Sequence, residues 1–561
     1  MTILFKKQVS FSYFIYAFGI LGVVLSISLL ASVPPESRDA LTHHLAVPKL
    51  WIENGGIYAA PHLIFSYYPM NLDLLYVIPM LFGKDIIPKY IHFLFALGTA
   101  WLIHSYLRQR TTRTLSLLGA LLFLSTPVIV KLSISVYVDL GLIFFSWASI
   151  FYLFEWARSL QSPKHLIFSA VFCGLGLGTK YNGMIVLFLL TFFVPIVYIR
   201  TVGRNYFKTK SAVGYQVLFF LIALTVFSPW MIRNYRLTGN PIYPLYKDRI
   251  GSETDRPEIS NMSMRPWLQR KLIYKESALE TALIPIRIFF QGKDDNPRFF
   301  DGKLNPVLFL FPLLLLVKRK ESDVTIKREQ LFLASFSILF LLYASFMVDM
   351  RIRYIAPIIP PLVVLTVFGI RETLLWVDGI GRKGIRVLSH WVIVGVGFCF
   401  LCINAQYVAA LFQSVNPVPY VFGETSREEY LRNKLPDYPA IQFANQIQYD
   451  NMNILALFLG KRLYYFNKPV KFGTQSFARV VADTTAEMAL ASYLQKSGFT
   501  HCIIGINHFE TWANRGFTVE QKNSISKWLR DDCILLFSKN GYAVFKLIPK
   551  RCDPFIQTSE R

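Results

Sequence analysis

Apolar residues run in long blocks along the chain, separated by short stretches that are mostly basic. A bilayer core takes about 17–25 apolar residues per helix. Blocks at or near that length fall at 11–32, 87–107, 114–130, 139–157, 165–179, 182–199, 214–231, 305–317, 330–347, 354–371 and 390–410. The pattern therefore predicts a polytopic α-helical membrane protein with about eleven transmembrane helices. A signal peptide alone would explain only the first block. Between 165 and 199, Gly176, Gly178, Asn182 and Gly183 mark either a break between two helices or a kink in one.

Two other regions have their own patterning. Residues 38–54 read as an amphipathic helix with Leu41, Leu45, Pro48, Leu50 and Trp51 spread around it, and 72–82 add a second apolar run; such segments tend to lie in the interface plane. A structured loop of this length is more often functional than decorative. From about 411 the composition turns globular. Helix-like stretches (Arg427–Asn433, Tyr438–Gln448, Glu487–Lys496) alternate with β-like runs (Asn453–Leu459, His501–Ile506, Cys533–Ser538, Tyr542–Leu547), which predicts a small soluble α/β domain. It has no Gly-rich phosphate loop, so a nucleotide is not required. The expected organisation is a membrane domain over 1–410, with outer loops 33–86 and 232–304, followed by a soluble domain over 411–561.

The chain's 561 residues are 53% hydrophobic and carry a formal charge of +24. Such a charge suits nucleic acid, but its placement points to the membrane instead. Lys6/Lys7, Arg108/Arg110/Arg113, Arg200/Arg204/Lys208/Lys210, Lys318/Arg319/Lys320 and Arg382/Lys383/Arg386 flank hydrophobic ends, the bias of cytoplasmic loops. No nucleic-acid partner is expected. Placing these loops inside puts the N-terminus in the cytoplasm. The tail then lies outside, together with 33–86, 131–138 and 232–304. Six scattered cysteines form no metal or disulfide framework. Cys173, Cys399 and Cys402 fall in apolar blocks, while one disulfide among Cys502, Cys533 and Cys552 is compatible with an oxidising compartment.

Charged groups at membrane depth are costly and mark functional sites. Asp39 follows the first block in Ser37-Arg38-Asp39-Ala40-Leu41-Thr42-His43-His44, and Asp139 opens the fourth in Tyr137-Val138-Asp139-Leu140. Both fall at the outer boundary, where one site can use two carboxylates; either can instead cap a helix. Lys180, in Gly178-Thr179-Lys180-Tyr181-Asn182-Gly183, and Arg353, in Arg351-Ile352-Arg353-Tyr354, fall at the same boundary. There they suit a phosphate, with snorkelling to lipid headgroups as the alternative. His43 and His44 lack zinc-site spacing; a contact to donor or acceptor and a structural role both stay open.

At these residues the sequence resembles the GT-C superfamily of membrane glycosyltransferases, which includes protein O-mannosyltransferases, lipid A aminoarabinose transferases and the catalytic subunit of oligosaccharyltransferase. Asp39 matches an acidic residue of the first outer loop, Asp139 the Tyr-x-Asp opening a later span, and Gly176-Leu177-Gly178-Thr179-Lys180 a Gly-x-x-Thr-Lys segment. Ser228-Pro229-Trp230 with Gly239-Asn240-Pro241-Ile242-Tyr243-Pro244 is similar to the Pro-Trp and Gly-Asn-Pro run of bacterial members, and Arg353-Tyr354 with Pro357, Pro360 and Pro361 to their Arg-Tyr-x-x-Pro segment. The adjacent acidic pair of the best-known pattern is replaced by His43-His44, which leaves the use of a divalent metal open.

The resemblance implies a hexosyl or pentosyl transferase in the bacterial cytoplasmic membrane, with the tail extracytoplasmic. It would move a sugar from a polyprenyl-phosphate-linked donor to a lipid, glycan or protein acceptor. Lys180 and Arg353 would bind the donor phosphate, Asp39 would act as general base, and Asp139 would orient the acceptor or hold a divalent ion. Direct displacement would invert the anomeric carbon. An O-antigen ligase or polymerase and a lipid-linked sugar flippase are the competing readings; the mostly apolar spans count against the flippase.

Overall fold

The computed structural model describes residues 2–60, 63–160, 162–203, 206–247, 266–316, 323–347, 350–380, 382–449, 451–483, 490, 494 and 496–548. Arg204, Lys318, Arg319, Lys320, Cys552 and the first residues of the expected helix Glu487–Lys496 lie outside the described residues. The chain divides into two units. One comprises Met1–Val33 and Ile57–Val421; the other comprises Pro34–Gly56 and Phe422–Arg561.

The first unit is helical. Among the described residues, eight helices are long and apolar enough to cross a membrane: Phe11–Ala31, Ile87–Arg108, Asp139–Arg158, Gly183–Val202, Lys208–Thr238, Val324–Phe346, Ile352–Asp378 and Gly384–Val415. Phe188, Phe192, Leu388 and Trp391 stand exposed along them, as side chains facing lipid do. One pair of helices, Arg113–Ser125 and Pro127–Ser133, is long and apolar enough only when taken together, and is bent by 63°. The bend falls where Pro127 brings no N–H to the helical ladder and pushes Thr126 to ψ 127°. The blocks at 165–179 and 305–317 form shorter helices, Lys164–Leu177 and Val307–Leu316. The former has 14 residues, about 21 Å of rise, less than a bilayer core.

The open question at 165–199 resolves as a break. The helix Lys164–Leu177 ends at Gly178 and the next begins at Gly183. A Cβ on Gly183 would come within 2.7 Å of the Leu177 backbone, so the turn is built on glycine's missing side chain.

The second unit is built on a five-stranded sheet: β1 Ile454–Leu457, β2 Val470–Phe472, β3 His501–Gly505, β4 Cys533–Lys539 and β5 Tyr542–Leu547, in the order β2-β1-β3-β5-β4. The first three strands are parallel, and β5 runs antiparallel to β3 and β4. Leu455, Leu457, Cys502 and Ile504 share a core with Phe477, Phe509 and Trp528 from the helices Thr474–Asp483, Ile506–Gly516 and Val519–Asp531. Cys502 and Cys533 are free thiols on β3 and β4, with β5 between them.

Residues 34–56 differ from their expected place. Instead of an amphipathic helix lying in the interface, a π-turn over Ala40–His44 leads into the helix Ala46–Glu53. Leu41, Leu45 and Trp51 are buried in protein. The Leu41 carbonyl accepts from the backbone N–H groups of Leu463 and Tyr464 at 2.9 and 3.0 Å. Tyr465 Oη donates to the Pro35 carbonyl at 2.7 Å, and Lys49 Nζ donates to the carbonyls of Tyr464 and Phe466. Leu41 also packs with Leu431, Leu435 and Tyr438. Apolar positions spread around this segment are covered by chain some 400 residues away, a relation that local periodicity does not carry. The other boundary moves as well: the expected limit near 410 falls inside the helix Lys383–Val415.

Candidate functional site

Asp139 is the first residue of its helix, 1% exposed. Its Oδ1 accepts from Lys180 Nζ at 2.6 Å. Its Oδ2 is buried with no hydrogen-bond partner among the described residues. Neither oxygen caps the helix, so the capping alternative does not describe Asp139. Lys180 also departs from the snorkelling picture: its ammonium pairs with the carboxylate and sits 4.9 Å from the Tyr354 ring centre. Arg353 lies with its guanidinium 5.0 Å from the ring of Tyr137 and 5.3 Å from that of Tyr354, and its charge acts on the Asp139 carboxylate. The first unit thus gathers Asp139, Lys180 and Arg353 into one cluster with an aromatic lining.

The backbone around this cluster is fixed by residues that sequence reasoning missed. His92, fully buried, places Nδ1 3.0 Å from the carbonyls of Leu132 and Ser135, while its Nε2 accepts the Leu140 N–H at 2.9 Å. Tyr76 Oη donates to the Tyr137 carbonyl. Both ends of the turn before Asp139 are thereby held. Lys180 is set by the bend at Gly178. Asn71 accepts from Trp230 Nε1 at 2.7 Å, donates its Nδ2 to the Leu175 carbonyl at 3.2 Å, and donates its backbone N–H to the Gly178 carbonyl at 3.0 Å. A Cβ at Gly178 would meet Asn71 Nδ2 at 2.3 Å. The Gly-x-x-Thr-Lys and Pro-Trp segments are therefore joined through one asparagine.

The remaining motifs join within the same unit. Asn234 Nδ2 donates to the Tyr67 carbonyl at 2.8 Å, and lies 3.1 Å from the Tyr243 carbonyl and 3.2 Å from Tyr181 Oη. Tyr181 Oη donates to the Tyr243 carbonyl at 2.8 Å, and Asn182 Nδ2 reaches the Tyr354 carbonyl at 3.4 Å. Burial, with the phenols of Tyr354 and Tyr243 nearby, pushes the Tyr68 hydroxyl up to about 12, so Tyr68 is a neutral hydrogen-bonding group there. No motif residue signals these bonds by periodicity. Position in the family pattern was the usable signal for Trp230 and Tyr243, and none existed for His92 or Asn71.

Asp39, His43 and His44 belong to the second unit. Asp39 is half-buried at the head of the π-turn and makes no side-chain cap bond, so the capping alternative fails here too. The His43 and His44 rings lie 4.0 Å apart, centre to centre. π-turns inside helical segments are frequent at functional sites.

No group of three or more His, Cys, Asp or Glu side chains able to hold a metal ion occurs among the described residues. The charges of Lys180 and Arg353 act on the Asp139 carboxylate, and one carboxylate beside two cations is not the oxygen cage a divalent ion needs. The cluster fits an anion better.

Residues 69–232 match the family model described as dolichyl-phosphate-mannose-protein mannosyltransferase. The fold is similar to ArnT from Cupriavidus metallidurans in the apo state: TM-score 0.55, 12% identity, covering 94% of this chain and 97% of that one. It is likewise similar to the same protein bound to undecaprenyl phosphate: TM-score 0.56, 13% identity, covering 95% and 97%. The archaeal oligosaccharyltransferase AglB from Archaeoglobus fulgidus aligns more loosely, at TM-score 0.46 and 10% identity, covering 96% of this chain and 75% of that one. Among curated proteins, none matches. The matched segment contains Asp139, Lys180 and Trp230 of the motifs described above, and over most of its length the chain shares its fold with a solved membrane glycosyltransferase structure, that of ArnT.

Proposed function

We propose that the protein transfers a single hexosyl or pentosyl group from a polyprenyl-phosphate-linked donor to a lipid, glycan or protein acceptor at the outer face of a bacterial cytoplasmic membrane. The observation that carries this reading is the cluster of Asp139, Lys180 and Arg353, a buried carboxylate with an unused oxygen beside two cations. Lys180 and Arg353 take the donor phosphate, one as a point charge and the other as a fork. As the glycosidic oxygen departs, negative charge grows on that phosphate, and preplaced cations stabilise it without reorganisation. Asp139 holds the Lys180 ammonium in position, and its Oδ2 accepts a hydrogen bond from a hydroxyl of the sugar or acceptor. Asp39 removes the acceptor proton, and the anomeric carbon inverts. The undecaprenyl phosphate bound to ArnT supports a donor of this class.

The test is direct. Purified protein, given a polyprenyl-phosphate sugar and a membrane extract as acceptor, should release polyprenyl phosphate and glycosylate one component. Cells lacking the protein should accumulate one lipid-linked sugar. Unchanged lipid-linked pools together with no transfer in vitro would remove the reading. A reporter active only outside the cytoplasm should work when fused after Arg561 and fail after Lys320; the reverse would overturn the orientation.

A further inference from the structure

In the sheet of the second unit, β1 lies between its parallel neighbours β2 and β3. The chain leaves the carboxyl end of β1 towards β2 on one side. It leaves the carboxyl end of β3 through the helix Ile506–Gly516, on the way to β4 and β5 on the other side. Such diverging exits from adjacent parallel strands leave a crevice, the usual ligand position in open α/β sheets.

A cleft of about 370 Å³ lies there, lined by Phe458, the residue after β1, and by His508, Thr511, Trp512, Arg515 and Gly516 of the helix after β3. That volume falls within the range of about 300–1,000 Å³ typical of ligand pockets. Phe458 has φ +60°, a left-handed conformation uncommon for a bulky residue and often tied to a functional site. The surroundings hold it there. Its N–H donates to Thr474 Oγ1 at 3.4 Å, and its carbonyl sits where a Cβ on Gly505 would lie 2.8 Å away. Its ring packs 5.3 Å from Trp512 and 6.1 Å from Phe509.

The lining has a definite chemistry. Phe458 and Trp512 supply aromatic faces, whose negative quadrupole attracts C–H edges. His508, Thr511 and Arg515 are exposed polar groups on the same helix, and among the described residues no carboxylate lines the cleft. Arg515 has no hydrogen-bond or ion-pair partner among the described residues, which leaves its fork available for a carboxylate or phosphate. We propose that this cleft binds a saccharide carrying an anionic group, in contact with the aromatic wall and paired with Arg515. Its identity as a saccharide rests on the transferase reading; the cleft itself does not.

Binding to the full-length protein in detergent, followed by calorimetric titration, separates the two. The probes are digalacturonate, mannose 6-phosphate and, as the neutral control, galactobiose. At least one anionic probe should bind saturably. Arg515→Gln should weaken it by about tenfold or more and leave galactobiose unaffected, while Thr511→Trp, which fills the cleft from an exposed position, should abolish all binding. No saturable binding of either anionic probe, or binding unchanged in both variants, would overturn the proposal. Because no donor is present, failed transfer with intact cleft binding rejects only the transferase reading. Intact transfer with no cleft binding rejects only this one.

Discussion

Lys180 Nζ and Asp139 Oδ1 lie 2.6 Å apart, although 41 residues separate them in sequence and Asp139 is almost completely buried. Removing one partner of a buried pair leaves an uncompensated charge and typically costs about 3–5 kcal/mol. Lys180→Ala should therefore lower thermal stability in detergent as well as transfer. The double variant Asp139→Asn with Lys180→Met, which buries no lone charge, should regain most of the stability and none of the transfer. Recovery of transfer together with stability would assign the pair to folding alone.

Arg353 gives a cleaner reading of donor binding. It faces the rings of Tyr137 and Tyr354 from a half-buried position, so truncation strands less charge in the protein interior. Arg353→Ala should raise KM for the lipid-linked donor by about tenfold or more, the worth of a charge-assisted hydrogen bond. Its unfolding temperature should stay near that of the parent. Steady-state kinetics over donor concentration decide this.

The site residues legible in the sequence were those with both an unusual charge and a motif, Asp139, Lys180 and Arg353, and the structure brings them together. His92 and Asn71 were not, because one polar residue in an apolar block carries no period and its partners lie tens of residues away. In the second unit the runs at Tyr542–Leu547 and Cys533–Ser538 announced strands as short, mostly apolar stretches bounded by polar turn residues such as Asn540 and Gly541. β2, with three residues, is too short to show a period. The helix Val519–Asp531 carries a capping box between Thr518 and Gln521, whose Thr-x-x-Gln spacing is visible in the sequence. The pairing of residues 34–56 with the tail was illegible because backbone hydrogen bonds such as Leu463 to Leu41 have no side-chain signature.

His92 tests whether the turn before Asp139 needs rigid support. Its Nε2 accepts a backbone N–H, so the proton sits on Nδ1, facing the Leu132 and Ser135 carbonyls. His92→Asn keeps a donor for those carbonyls and loses the acceptor for Leu140. The expected result is normal membrane insertion, a kcat lowered on the order of 10²-fold through misplacement of the carboxylate, and little change in donor KM. An unchanged kcat would show that Asp139 is positioned without His92.

Asp437 in the second unit predicts a pH dependence. Burial holds its carboxyl above the usual range, although Arg462 Nη1 donates to it at 2.9 Å. The folded state therefore binds this proton more tightly than the unfolded chain. The resulting stabilisation is present at acidic pH and is lost as pH rises through the raised value. Asp437→Asn keeps the acceptor for Arg462 without the charge. Relative to the parent it should unfold at higher temperature near pH 7, and the difference should vanish below the ordinary Asp range. A lower unfolding temperature at pH 7 would mean that the attraction to Arg462 outweighs burial.

Asp39 carries the sharpest prediction. Its carboxylate stands at the head of the π-turn Ala40–His44, half-buried, and makes no side-chain cap bond. If it capped the helix, exchange for Asn would change little, since Asn caps nearly as well. If it removes the acceptor proton, Asn keeps the size and the hydrogen-bonding capacity but cannot take that proton. A general base is worth about 10²–10⁴-fold in rate. Asp39→Asn should accordingly express in the membrane and unfold at the parent's temperature, with transfer from a defined lipid-linked donor reduced by about that factor. The pH profile supplies the second check. The parent's kcat/KM should fall at acidic pH as a carboxylate takes up its proton, and the residual rate of Asp39→Asn should lack that limb. Near-parental transfer by the purified variant, or a residual rate that keeps the acidic limb, would take the base's role away from Asp39.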